Sequence, residues 1–175
     1  MSHTDNLSAN ERLRYDRLTF YEEDIEQIDK LLGEFLRLSG ARCAVLIDKD
    51  GHCVTQCGDL ASINMDTISA LVAGSFAATK EMARLLGEEE FSALFHQGER
   101  DNIQLSLVGD RTLLTILFDD RTTVGMVRLY ASETAKKLAM LYQQVEERQS
   151  SEKGSPALDA EYGDDAKRKL ENLFD

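Results

Sequence analysis

The spacing of apolar residues alternates between helical and strand periods along the chain, and this alternation limits the possible folds more than any other feature. Apolar residues recur at helical spacing over residues 20–38, 64–86 and 132–145. Thr19 and Glu22 match a capping box at the start of the first of these segments. Short apolar runs between the segments surround turns rich in Asp and Gly, as in β-hairpins. A chain of 175 residues with this pattern predicts one α+β domain.

Two hairpins and one further strand supply the predicted sheet. Residues 43–47 lead into the turn Asp48-Lys49-Asp50-Gly51, and residues 52–57 return from it. A second hairpin spans residues 103–118, and residues 124–130 are predicted as a fifth strand before a helix that Ser132 caps. The predicted order is helix-β-β-helix-β-β-β-helix, around a five-stranded, mostly antiparallel sheet.

The two ends of the chain differ in composition from the predicted domain, which spans residues 19–148. Residues 1–18 carry mixed charges and few apolar positions, and we assign them to an N-terminal tail. Residues 149–163 contain Ser, Gly and the single Pro of the chain, which is typical of a flexible linker. Residues 164–175 predict a short amphipathic helix that a partner would order. Its apolar face contains Leu170, Leu173 and Phe174.

The composition excludes several classes of function. Twenty Lys and Arg against 32 Asp and Glu give a net charge of -12, which repels nucleic acid and anionic lipid headgroups. The chain has neither an apolar run of the roughly 18 residues that a spanning helix needs nor the apolar core of a signal peptide. We therefore expect a cytoplasmic protein that binds no nucleic acid and does not insert into a membrane. The cysteines, which lack the spacing of a zinc site and are expected to be reduced, are Cys43, Cys53 and Cys57.

No motif in the sequence predicts catalysis. A P-loop is absent, and the Asp-x-Asp-Gly turn at residues 48–51 lacks the later ligands of a calcium loop. His96 carries no nucleophile motif, so a structural hydrogen-bonding role is the better interpretation. Arg111 and Arg121 lie in turns, where an arginine finger is conceivable but an exposed surface role is commoner. We therefore predict no active site, no cofactor and no metal site.

The helix predicted over residues 64–86 has a bulky stripe and a small-residue stripe. The bulky stripe contains Ile68, Leu71, Val72, Phe76, Met82 and Leu86. Small side chains let a second helix approach closely, which favours an interface between two copies of the chain. The alternative is that they face the domain's own sheet or are merely good helix formers. The small-residue stripe contains Ala70, Ala73, Gly74, Ala77 and Ala78.

Several segments, in this order, resemble the roadblock family, and in particular its MglB group, over residues 21–148. These segments are residues 21–23, 45–51, 69–78, 85–91, 95–98 and 118–129. The resemblance implies a roadblock fold and a homodimer that binds one small Ras-like GTPase of the MglA type in bacterial polarity and gliding motility. It further implies GTPase activation by positioning of the GTPase's own catalytic groups. The chain would then be no enzyme itself, and GTP and Mg²⁺ would belong to its partner.

The resemblance also implies two sets of binding residues. The dimer and GTPase-binding set is Ala70, Ala73, Gly74, Ala77, Ala78 and Glu81, and Glu81 stands where relatives can have a small residue. The C-terminal helix of some members binds the GTPase and favours nucleotide exchange, a role that would pass to Leu170, Leu173 and Phe174. The alternative function is a non-catalytic scaffold that localises a GTPase or other polarity partners, for example at a cell pole.

Overall fold

Three helices and five strands make up the described part of the chain, residues 19–60 and 64–153 of a computed structural model. They are α1 (Glu22–Ser39), β1 (Cys43–Asp48), β2 (Cys53–Gly58), α2 (Met65–Leu85), β3 (Ala93–His96), β4 (Asn102–Val108), β5 (Thr112–Phe118) and α3 (Val124–Lys153). Phe20–Tyr142 forms one compact unit, and Thr19 and residues 143–153 belong to another.

The five strands form one sheet in the order β2-β1-β5-β4-β3, and every neighbouring pair is antiparallel. Strands β1 and β5 lie at its centre, where Val45 pairs with Thr115 and Ile47 with Leu113. The order of elements and the antiparallel sheet confirm the predicted α+β fold.

Helices cover both faces of the sheet. Because side chains alternate along a strand, Val45 and Ile47 point to one face and Leu46 to the other. On the first face, Val72 and Phe76 of α2 pack against a core cluster that includes Val45, Ile47, Leu105 and Leu113. The second face lies under α1 and α3. A 3.7 Å ion pair between Glu34 of α1 and Lys137 of α3 joins these two helices.

The turn between β1 and β2 helps to place α2. Gly51 has a positive φ of 89° and is the glycine of the Asp-Gly turn that the sequence predicts. A Cβ at this position would lie 3.0 Å from the Cα of Ala70, so glycine allows the turn to approach the α2 backbone closely. Asp48 stabilises the same turn, because its Oδ1 accepts hydrogen bonds from the backbone N–H groups of Asp50 and His52.

The fifth strand predicted over residues 124–130 is wrong, because this segment begins α3. The backbone N–H of Val127 donates to the carbonyl of Thr123, and that of Met126 to the Thr123 hydroxyl, so the helix starts well before Ser132. Val127 and Ala131 are both buried, and their spacing of four is helical. The missing strand is β3, which contains Phe95 and His96, in a segment where the sequence pattern predicts neither helix nor strand.

Two predicted boundaries also differ from the structure. Helix α1 begins after Tyr21 instead of Thr19, and buried Asp24 accepts a 2.8 Å hydrogen bond from the Tyr21 backbone N–H. Helix α3 continues to Lys153, so residues 149–153 of the predicted linker are helical. The predicted N-terminal tail and the residues after Lys153 lie outside the described residues.

A buried hydrogen bond between Thr112 and Tyr142 joins β5 to α3, with 2.9 Å between the Thr112 hydroxyl, which donates, and the Tyr142 oxygen. We predict that Tyr142→Phe lowers the free energy of unfolding by about 1 kcal/mol, because Thr112 loses its buried acceptor. Urea denaturation followed by circular dichroism measures the difference. The control is Tyr130→Phe on the same helix, where the ring is only half-buried. Equal midpoints for the two variants would contradict the prediction.

Candidate functional site

The outer face of α2 is the candidate binding site of this chain. Ser69, Val72, Ala73 and Phe76 point into the domain and are buried. The opposite side of the helix is exposed and carries four small residues at helical spacing, Ala70, Gly74, Ala77 and Ala78. We call the exposed side of α2 the outer face. It contains five of the six residues predicted to bind a second copy and a GTPase, since Glu81 also lies there.

Ala73 departs from the predicted stripe. Its side chain is only 8% exposed and lies on the buried side of α2 with Val72 and Phe76. Residues of an α-helix are rotated by about 100° from one another, so the spacing alone did not show that Ala73 belongs to the buried side while its small neighbours are exposed. A partner on the outer face would therefore meet Ala70, Gly74 and Ala77 before it met Ala73.

The predicted bulky stripe does not form one packing surface. Val72 and Phe76 are in the core, whereas Leu71, Met82 and Leu86 are exposed. Leu71 and Leu85 border the outer face with 64% and 73% of their surfaces in contact with solvent. Exposed apolar side chains next to a flat surface of small residues are typical of a protein-binding face.

The domain's own packing does not require the small residue at the centre of this face. A Cβ placed on Gly74 would meet no atom of the described structure within 4 Å. Glycine inside a helix costs roughly 1 kcal/mol relative to alanine. Neither the backbone nor the packing of the described chain therefore requires glycine at residue 74.

An ion pair lies at the C-terminal end of the outer face. The Arg84 Nε donates to both carboxylate oxygens of Glu81 at 3.0 Å, and its terminal N–H group donates to Oε1 at 2.6 Å. These hydrogen bonds lower the pKa of Glu81. The negative charge that Glu81 brings to the face is thus compensated from within the same helix.

His96, the histidine weighed for catalysis, lies exposed on β3. It lines an apolar cavity of about 290 Å³ between α2 and the sheet. The cavity lining also includes Ser75 and the buried hydroxyl of Thr115, which has no hydrogen-bond partner among the described residues. No carboxylate, thiol or lysine lines this cavity, so its described residues offer no acid or base to pair with His96.

The arginines considered as arginine fingers lie in ion pairs within the chain. The Arg121 Nε contacts the two carboxylate oxygens of Asp119 at 2.9 and 3.0 Å. Arg111 lies 3.5 Å from a carboxylate oxygen of Asp110. An arginine held by a neighbouring carboxylate would have to break that contact before reaching a partner's phosphate.

Metal-ligating groups meet at one place in the described chain, the turn after β1. Oxygen and nitrogen atoms of Asp48, Asp50 and His52 lie within 4.8 Å of one another. The Asp48 carboxylate already accepts two backbone hydrogen bonds there, as expected for a turn. The three cysteines are free, and burial raises the pKa of the Cys43 thiol to about 11.

The second predicted binding set lies beyond the described part of the chain. Leu170, Leu173 and Phe174 all follow Lys153, the last described residue. Among the described helices, none combines the length and the hydropathy that a membrane-spanning helix requires.

Comparison with known proteins supports the resemblance read from the sequence. The model of the Roadblock/LC7 domain matches residues 27–118. The structure of Myxococcus xanthus MglB is 30% identical, with a TM-score of 0.65 over 67% of this chain and 96% of that chain. The gliding protein MglB of Thermus thermophilus is 35% identical, with a TM-score of 0.68 over 73% of this chain and 96% of that chain.

A third solved structure, described as MglB with a tetrameric arrangement, is also 35% identical, with a TM-score of 0.69. It covers 73% of this chain and 96% of its own. No curated protein sequence matches the chain. The matches in sequence and in structure agree with each other, and the chain therefore belongs to the Roadblock/LC7 domain family, as an MglB-like member.

Proposed function

We propose that this chain is a homodimer that regulates a small Ras-like GTPase of the MglA type. It stimulates GTP hydrolysis by positioning the GTPase's own catalytic groups, and GTP and Mg²⁺ belong to that partner. The process served is cell polarity or gliding motility, and the protein acts in the cytoplasm, at a cell pole. The observation that carries the proposal is the outer face of α2, whose size and chemistry suit a protein partner.

Steric access supports a partner on this face. Helices pack roughly 8–10 Å apart depending on the side chains between them, and small residues allow the lower end of this range. Ala70, Gly74 and Ala77 follow one another along the exposed side of α2, so a second α2 could lie against them. Leu71 and Leu85 at the border would then lose water contact, which stabilises the complex.

The ion pairs that hold these arginines within the chain support activation by positioning of the GTPase's own catalytic groups. Arg84 and Arg121 donate to carboxylates of this chain at 3.0 Å or less. A finger arginine instead places its guanidinium on the transferring phosphoryl group of the partner. Positioning works through the shape of the contact surface and needs no such group from this chain.

The first prediction from this proposal concerns hydrolysis. A dimer added in excess to the cognate GTP-loaded GTPase should raise the rate of phosphate release, measured in single turnover. Arg111→Ala and Arg121→Ala should each keep that rate within about twofold, because removal of a true arginine finger costs roughly a thousandfold or more. Collapse of the rate in one of these variants would identify a finger and contradict positioning. Binding with no change in hydrolysis or exchange would support the scaffold instead.

The second prediction concerns the outer face. Ala77→Arg places a long charged side chain where a close helix contact is proposed, and should weaken dimer or GTPase binding at least about tenfold. Sedimentation velocity and titration of the labelled GTPase measure the two affinities. Gln27→Arg, which adds the same side chain at an exposed position of α1, is the matched control and should change neither. Normal assembly and normal GTPase binding by Ala77→Arg would remove the outer face as the site.

The segment after Lys153 is the second proposed contact with the GTPase, and we propose that it favours nucleotide exchange. Combined replacement of Leu170, Leu173 and Phe174 by Ala should slow the exchange that the protein stimulates or weaken GTPase affinity, since the apolar face that binds the partner is lost. Release of a fluorescent guanine nucleotide measures exchange. The melting temperature of the variant should equal that of the original chain. Unchanged exchange and unchanged affinity would reduce the segment to a spacer.

A further inference from the structure

The apolar cavity between α2 and the sheet is large enough to hold a small molecule. Its volume of about 290 Å³ lies near the lower end of the range for ligand pockets, roughly 300–1,000 Å³. The floor is formed by the inner strands, where Val45 and Thr115 are completely buried and Leu105 is 1% exposed. The roof is the inner side of α2, which contributes Ile68 and Val72. The cavity therefore reaches into the interior of the domain.

One side of the cavity opens to solvent. Leu71 of α2 and His96 of β3 both line the cavity and are both exposed. Thr115 belongs to β5, which lies two strands in from β3. Neighbouring strands are about 4.8 Å apart, so β5 lies roughly 10 Å from the edge strand that carries His96. A molecule that enters beside His96 can therefore reach Thr115 at the deep end.

The deep end of the cavity holds a polar group that lacks a partner. Because side chains alternate along a strand, Thr115 points toward α2, on the same face of the sheet as Leu113 and Leu117. Its hydroxyl is buried and has no hydrogen-bond partner among the described residues. A buried hydroxyl without a partner destabilises the folded chain, and native proteins pair nearly all such groups. The Thr115 hydroxyl therefore calls for a partner that the described part of the chain does not supply.

We propose that the cavity binds a small, uncharged, mainly aliphatic molecule whose single polar oxygen hydrogen-bonds to the Thr115 hydroxyl. At the roughly 30 Å³ that one water-sized group occupies, the cavity holds about ten non-hydrogen atoms. A medium-chain alcohol such as n-octanol has this size. Apart from Thr115, Ser75 and His96, the lining is apolar, so the methylene groups of the ligand leave water when they enter.

The lining of the cavity selects against other occupants. A charged group at the deep end would be unpaired, because His96 at the opening is the only ionisable side chain among the lining residues. A buried water needs roughly two to four polar partners, and Ser75, His96 and Thr115 are the only lining residues with polar side chains. A leucine or isoleucine side chain of a docked protein would fill less than half of the volume and would leave the Thr115 hydroxyl without a partner.

Titration of the full-length chain with n-octanol, followed by isothermal calorimetry, tests the site. Thr115→Val removes the hydroxyl at nearly constant volume and should weaken n-octanol binding by roughly fivefold. Thr115→Ser keeps the hydroxyl and should bind within about twofold of the original chain. The absence of saturable n-octanol binding by the original chain would overturn the proposal, as would equal affinities of the Val and Ser variants.

Thermal melting of Thr115→Val without ligand checks the state of the hydroxyl. Its melting temperature should be equal to or above that of the original chain, because the removed hydroxyl has no partner to lose. A lower melting temperature would show that the hydroxyl is already bonded within the chain, and the proposal would then be wrong.

A further variant tests the location of the ligand. Ser75→Leu extends an apolar side chain from α2 into the cavity and should abolish n-octanol binding. The matched control is Ser106→Leu, at a half-buried position on the opposite face of the sheet, which should leave binding unchanged. Circular dichroism checks that both variants fold, and the Thr115 variants decide alone if Ser75→Leu does not. Full n-octanol binding by folded Ser75→Leu would overturn the proposal. These titrations contain no GTPase, so their outcome is independent of the proposed function.

Discussion

The antiparallel pairing of β1 with β5 is the constraint on which the remaining structure depends. Residues Cys43 to Ile47 of β1 are completely buried, and β5 is buried along nearly its whole length. Central strands buried on both faces need a layer of helices on each side. Helix α2 supplies one layer alone, and α1 and α3 share the other. A fold of three layers follows from these two strands.

The candidate site is a consequence of this layering. Once α2 covers one face of the sheet, no further element of the described chain covers the outer side of α2. That side is exposed in the described part of the chain. A helix that faced only water would carry mostly polar residues, whereas this one carries alanines, a glycine and large exposed apolar side chains. This composition is the observation from which we propose a protein partner on the outer face.

The sequence predicted the central elements well, because burial controls their patterns strongly. The turn at Gly51 follows from local sequence, as does the alternation of apolar and polar residues from Ile103 to Leu107. The errors lie where the local pattern is ambiguous. Strand β3 has four residues and too short an alternation to recognise, and the valines at 124 and 127 suit a strand as well as a helix. Only the tertiary contacts decide such segments.

The residues of the candidate site could likewise be predicted only in part, because tertiary packing decides which of them are exposed. The stripe of small residues was visible in the sequence, and four of its five members lie on the exposed side of α2. Ala73 could not be separated from them, since its position at the boundary depends on how the helix is rotated on the sheet. The ion pair of Glu81 with Arg84 was accessible to sequence reasoning as an i,i+3 pair, which such helices form readily.

The net charge of the chain sets the conditions under which two copies can associate. A charge of -12 on each chain opposes any association between copies, and this repulsion acts over about 10 Å at 0.1 M salt. On the outer face of α2, Glu81 is paired with Arg84, so the contact proposed there depends mainly on apolar and steric fit, and salt strengthens it by screening the repulsion.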